Sequence, residues 1–204
     1  MGFAAFLITQ ALGAFNDNAF KTFVALFAVA TMPAAESGKM IAVAGALFIL
    51  PFLLFSTFAG VVADRFSKKK LTVLFKAVEL VLMALSAVAL AISSKPLLML
   101  LLFLMGMHSA FFGPVKLSIL PELVKDEELS NANGLVQATT FLGIILGTVA
   151  AGLLLHSFRD QPALASLLFI AVAAGGLVSS LFVPNVSSAA GGETPLRLNF
   201  LSQT

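Results

Sequence analysis

The sequence predicts an all-α, polytopic membrane protein with six transmembrane helices. Three observations lead there. Of the 204 residues, 59% are hydrophobic and 11% charged, with a mean hydropathy of +1.04. Soluble domains carry about 25% charged residues and need a polar exterior, so in a chain this short the surplus apolar side chains must face lipid. Six apolar runs are each long enough to cross a hydrocarbon core of about 30 Å, which takes about 20 helical residues. The densest charge, five residues among the seven of Asp64–Lys70, falls between two of those runs, as a turn between spans would.

The first run, Phe3 to about Ala30, is longer than a span needs and is interrupted by Asn16-Asp17-Asn18 and Lys21. No basic leader or small-residue cleavage site precedes it, so it reads as a retained span. A turn containing Pro33, Glu36, Gly38 and Lys39 follows. The second run, Met40–Val62, carries Pro51 near its middle, and backbone groups freed there must find partners inside the bundle. The third is Leu71–Ile92, ended by Ser93-Ser94-Lys95. The fourth, Pro96 to about Leu117, begins on a proline suited to a helix start. A polar loop is expected over Pro121–Asn133, then the fifth and sixth runs, Gly134–Leu155 and Ala163–Val183. The Ser-, Gly- and Pro-containing tail Pro184–Thr204 reads as a linker.

Lys- and Arg-rich loops stay cytoplasmic. Placing Asp64–Lys70 there also puts Lys116, Lys125 and Arg197 at the inner side, leaves only Lys39, Lys95 and Arg159 outside, and makes both termini of this stretch cytoplasmic. Gly143, Gly147 and Ala151 recur at four-residue spacing in the fifth run and predict close approach of a neighbouring helix. Trp and Tyr are absent while Phe occurs 20 times, a departure from the usual interfacial aromatic belt.

Asp17 is the most informative residue. It lies about 14 residues, or ~21 Å, into the first helix, where a carboxylate costs roughly 2.5–3.5 kcal/mol unless it faces protein or water. It therefore either pairs with Lys21 at i,i+4 or faces a cavity, with Asn16 and Asn18 beside it. Glu79, deeper in the third span, is a cavity carboxylate or one end of an ion-pair network. Lys76 and Lys116 are expected to snorkel to the inner interface. His108 is expected to be a hydrogen-bonded packing residue rather than a proton relay.

No catalytic site is expected. His156 and Asp160 are four apart, whereas the phosphate acyltransferase motif needs five, where Gln161 stands. No phosphate-binding glycine loop, zincin pair or nucleophile elbow occurs. With no cysteine, thiolate metal sites and disulfides are excluded. Neither a cofactor nor a nucleic-acid partner is implied.

Gly60, Asp64, Arg65, Lys68, Lys69 and Lys70 resemble the loop between the second and third helices of the major facilitator superfamily, with Ser67 in place of that pattern's second glycine. The resemblance implies that these residues, Asp64 and Arg65 above all, gate the cytoplasmic face by meeting a helix end of the other half. Gly13–Lys21, Gly113–Lys116, Ile119–Leu123 and Asn131–Gly134 resemble bacterial lysophospholipid transporters within it. That family lacks neither a basic segment before its first helix nor, often, an aromatic residue where Leu117 stands here.

The resemblance implies a twelve-helix protein of two six-helix halves, each with 3+3 inverted repeats, of which residues 1–183 are the N-terminal half and 184–204 the start of the cytoplasmic link. It implies transport of lysophospholipids, notably lysophosphatidylethanolamine, to the inner leaflet of the bacterial inner membrane. Reacylation would follow there, by an acyltransferase and acyl-carrier-protein synthetase that are fused to the transporter in many bacteria. Asn16, Asp17, Asn18, Lys21 and Glu79 are the residues expected to meet cargo or coupling ion. The rival expectations are a drug or metabolite exporter of the same superfamily, and a module that only anchors a fused acyltransferase.

Overall fold

The computed structural model describes residues 2–185, all as helices and short connections. In a bilayer only internally hydrogen-bonded backbone is tolerated, and six long helices result. They are α1 (Gly2–Thr31), α2 (Ala34–Arg65), α3 (Lys68–Ala91), α4 (Lys95–Ser118), α5 (Leu129–Ser157) and α6 (Ser166–Leu181). A single helical turn (Leu120–Leu123) and a 3-10 turn (Asp126–Glu128) link α4 to α5, and another 3-10 turn (Pro162–Ala165) precedes α6. The expected link over 184–204 lies outside the described residues except for Pro184 and Asn185.

Five of the helices, counting α5 and α6 with their leading 3-10 turns, are long and apolar enough to cross a membrane. The exception is α1: its 30 residues suffice in length, but Asn16, Asp17, Asn18 and Lys21 dilute its apolar character. It remains continuous helix because it packs along α5 and α6 within the bundle.

Two connections are more helical than the sequence suggests. α2 starts directly after Pro33, with Glu36 in its first turn and Ser37 Oγ donating to Ala34 O, so the expected turn before Met40 is already helix. Likewise α5 absorbs Asn131 and Asn133 from the expected polar loop. Asp126, Glu127 and Glu128 sit at its amino end, where acidic groups favour a helix start, and Glu128 accepts from Lys125 N at 3.5 Å. The α3–α4 turn closes with Ser93 at φ 49°, in the left-handed region, and Ser94 N donating back to Ala89 O at 2.9 Å.

The helix pairing has an internal symmetry that the sequence hides. α1 packs on α5, as α4 does on α2; α1 also packs on α6, as α4 does on α3; and α3 packs on α6. Exchanging helices one to three with four to six leaves these five pairings unchanged, while the packing of α1 on α2 has no equal between α4 and α5. Small residues set the closest approaches. A Cβ on Gly143 would lie 2.7 Å from Ala11 O, and one on Gly147 would strike Phe15 O, so α5 lies directly on the α1 backbone there. Gly106 of α4 does the same against Phe48 of α2. The spacing read from the sequence therefore marks a helix–helix contact.

The largest apolar cluster joins Phe20, Phe23, Phe27, Leu98, Leu101, Met105 and Phe169, with Phe23 edge-on to Phe169 at 5.7 Å. Two smaller clusters lie toward the Phe66–Ser67 turn, one around Phe6, Ile119 and Val136 and one around Leu71, Phe112 and Val115. Between the large cluster and these lies a polar layer. Only 11% of the most apolar stretch of α2 is buried and 17% of that of α5, against 50% in α4, so α2 and α5 present the apolar faces this chain leaves uncovered.

Candidate functional site

The polar layer begins on α1, where successive residues point about 100° apart. Gly13 and Asp17, one turn apart, therefore share a face, while Asn16 points elsewhere. Asp17 accepts a hydrogen bond from Ser109 Oγ of α4 at 2.6 Å, and its Oδ1 has no partner among the described residues. It lines a cavity of about 200 Å³ with Gly13, Asn18, Lys76, His108 and Lys116, walled by Phe52, Phe112 and Ile144. The Asp17–Lys21 pair, one of two alternatives in the sequence, does not form. Lys21 Nζ instead donates to Asn18 Oδ1 at 3.1 Å and lies 5.0 Å from the Phe48 ring centre. Asp17 faces the cavity.

Asn16 is fully buried, about 100° around the helix from Asp17. Its amide donates to Glu79 Oε1 and to Phe169 O, each at 3.0 Å. It therefore holds Glu79 rather than lining the cavity. Glu79 in turn receives Lys76 Nζ on Oε2 at 2.6 Å, and both side chains are sealed from solvent. Of the two readings of Glu79, the ion-pair network is the one formed.

Lys76 corrects the sequence reading. Rather than snorkelling to the interface it is fully buried, because Gly13 opens the space its ammonium fills. A Cβ on Gly13 would strike its ammonium, and one on Gly176 would lie 3.4 Å from its Cδ. His108 is a second correction: it is buried, but neither ring nitrogen has a hydrogen-bond partner among the described residues. Its ring stacks on Phe112 at 6.2 Å and meets Phe75 edge-on at 5.9 Å, while Nε2 stands 4.0 Å from Glu79 Oε2. Lys116 reaches the cavity wall instead of simply snorkelling.

At the α2–α3 end the charged residues divide into two groups. Asp64 and Arg65 complete the last turn of α2 and are exposed. Among the described residues a Cβ on Gly60 would meet nothing within 4 Å, so their packing does not require a glycine there. Lys68 is mostly buried and bridges to Glu122, beyond α4, at 2.8 Å. Lys69 donates to Leu181 O at 2.6 Å and to Val183 O, closing the end of α6. Lys68 and Lys69 thus tie this bundle together, while the side chains of Asp64, Arg65 and Lys70 are exposed and have no partner among the described residues.

The sequence model of the Major Facilitator Superfamily matches residues 6–201. The chain belongs to that superfamily. It is 32% identical over 209 residues to the lysophospholipid transporter LplT of Escherichia coli O1:K1, covering 100% of this chain and 47% of that protein. Against the lysophospholipid transporter LplT of Citrobacter koseri it is 32% identical over 199 residues, covering 95% of this chain and 46% of the relative. The chain thus spans about half the length of the curated relatives it matches.

In this member of the superfamily, sequence reasoning misses Lys76, Ser109 and Gln10. Gln10 bonds Thr139 Oγ1 at 2.5 Å and accepts from Thr140 Oγ1 at 2.8 Å, joining α1 to α5 beside the cavity. A glutamine in an apolar run is itself a signal, because an unpaired amide in lipid is costly. For Lys76 the signal is a glycine, Gly13, that only the fold brings against it.

Proposed function

We propose that this chain is the N-terminal six-helix half, residues 1–183 with 184–204 beginning the link, of a secondary transporter for lysophospholipids such as lysophosphatidylethanolamine. The observation that carries the reading is a cavity that sets a carboxylate, Asp17, and the ammonium groups of Lys76 and Lys116 beside the apolar walls of Phe52, Phe112 and Ile144. An amphiphile with a zwitterionic head group matches that combination, and an acyl chain needs only the apolar surface. The names of the relatives agree with it.

In this reading the protein sits in the bacterial inner membrane with the Asp64–Lys70 turn and both ends of this stretch cytoplasmic, as the positive-inside rule requires. A second six-helix half supplies the opposite wall, and the halves rock about the shared site to expose it to each side in turn. Asp17 meets the head-group amine or a coupling cation, Asn18 and Lys21 border it, and Asn16 and Glu79 hold the wall behind. Gly60, Asp64 and Arg65 close against the second half, while Lys68 and Lys69 stiffen the end on which they act. The product would serve an acyltransferase and an acyl-carrier-protein synthetase, which restore the second acyl chain.

The test uses the full-length transporter in proteoliposomes, offered lysophosphatidylethanolamine and a panel of amphipathic drugs. Transfer of the lysolipid between leaflets, with the drugs ignored, is expected. Drug export without lysolipid transfer would overturn the assignment.

A further inference from the structure

We infer that Lys76 binds the phosphate of a zwitterionic phosphodiester head group, an inference that rests on the lysophospholipid reading. An ammonium has three donors. Among the described residues Lys76 Nζ has one hydrogen-bond acceptor, Glu79 Oε2, and otherwise faces the Phe112 ring at 5.0 Å and the cavity. A buried ion pair with a purely structural role is stable when its remaining donors are also satisfied. Here two are left without an acceptor among the described residues.

The surroundings are unmatched in the same way. His108, 5% exposed, lines the cavity with both ring nitrogens unpartnered, and Asp17 Oδ1 is unpartnered on the same cavity. Spare donors on Lys76 and His108 and a spare acceptor on Asp17 complement a molecule carrying a phosphate and an amine. Gly13 is what admits the ammonium to this position, since a Cβ there would strike it, whereas one on Gly176 would make only close contact with the Lys76 stem.

The experiment compares two amphiphiles of equal acyl chain, lysophosphatidylethanolamine and a monoacylglycerol that lacks the phosphate, binding to the full-length transporter in nanodiscs. The wild type is expected to prefer the phospholipid by at least about tenfold, the size of one charge-assisted hydrogen bond. The doubly neutral Lys76→Gln/Glu79→Gln variant, which strands no charge, should lose that preference while binding monoacylglycerol as before. Gly13→Ala, which changes no charge, should shift the preference the same way by crowding Lys76 out of this position.

A preference that survives in both variants would overturn the inference and leave the substrate reading standing. Loss of both ligands in parallel would assign Lys76 a structural role and overturn it as well. A wild type with no preference would overturn the substrate reading itself, and this inference with it.

Discussion

Lys76 and Glu79 stand one turn apart on α3 and meet at 2.6 Å inside the bundle, both closed to solvent. Removing one member of such a pair leaves the other charge buried without compensation, at about 3–5 kcal/mol, whereas replacing both with neutral groups is often near neutral. Glu79→Gln is therefore expected to lower the apparent melting temperature of the purified transporter sharply, and Lys76→Gln/Glu79→Gln to recover most of it. Thermal unfolding in detergent reads both. Additive losses in the double variant would mean that the two charges are not coupled.

The glycines of α5 make a second prediction. Gly143 and Gly147 face the α1 backbone at distances no Cβ tolerates, while a Cβ on Gly152 would meet nothing within 4 Å. Gly147→Ala should destabilise by about 1–3 kcal/mol, the usual range for overpacking. Gly152→Ala should be neutral or stabilising by up to about 1 kcal/mol, because alanine is the better helix former. Equal melting temperatures for the two variants would show that α1 and α5 do not touch as described.

What the sequence tells about this molecule follows from which interactions are local. The helices are legible because five are long apolar runs and the sixth, α1, is one interrupted only around Asn16–Lys21, and the α1–α5 contact because small residues recur every four positions on one helix. Asp17 is legible because a carboxylate in mid-span needs a reason to be there. Lys76 is not: its distance from the end of α3 equally suits snorkelling. Its burial depends on Gly13, from another helix, and no spacing along the chain links the two. The unpaired state of His108 is hidden for the same reason, since a missing partner is a property of the assembled interior.

Lys68 and Glu122 form a bridge at 2.8 Å that joins the start of α3 to the turn after α4, with side chains 10% and 16% exposed. A bridge this far buried is screened little by salt, and removing one partner leaves the other charge poorly compensated, at up to about 3–5 kcal/mol. Glu122→Gln should thus cost clearly measurable stability. Exchanging the charges, Lys68→Glu with Glu122→Lys, should restore much of what each single reversal loses. A double-mutant cycle measured at low and high salt checks this, and a coupling that vanishes at high salt would contradict it.

The transport role proposed for Asp17 makes the sharpest prediction. Asp17→Asn keeps the shape of the side chain and its hydrogen bond with Ser109 but removes the charge facing the cavity. If that charge holds an amine or a cation, transfer of lysophosphatidylethanolamine by the full-length transporter should fall by about tenfold or more, the size of a charge-assisted contact. Ser109→Ala, which keeps the carboxylate and removes one donor at 2.6 Å, should reduce transfer less. Both are measured as initial rates in proteoliposomes at equal protein content. Full activity in Asp17→Asn would leave the carboxylate without a transport role, and the cavity would have to recognise its cargo through Lys76 and Lys116 alone.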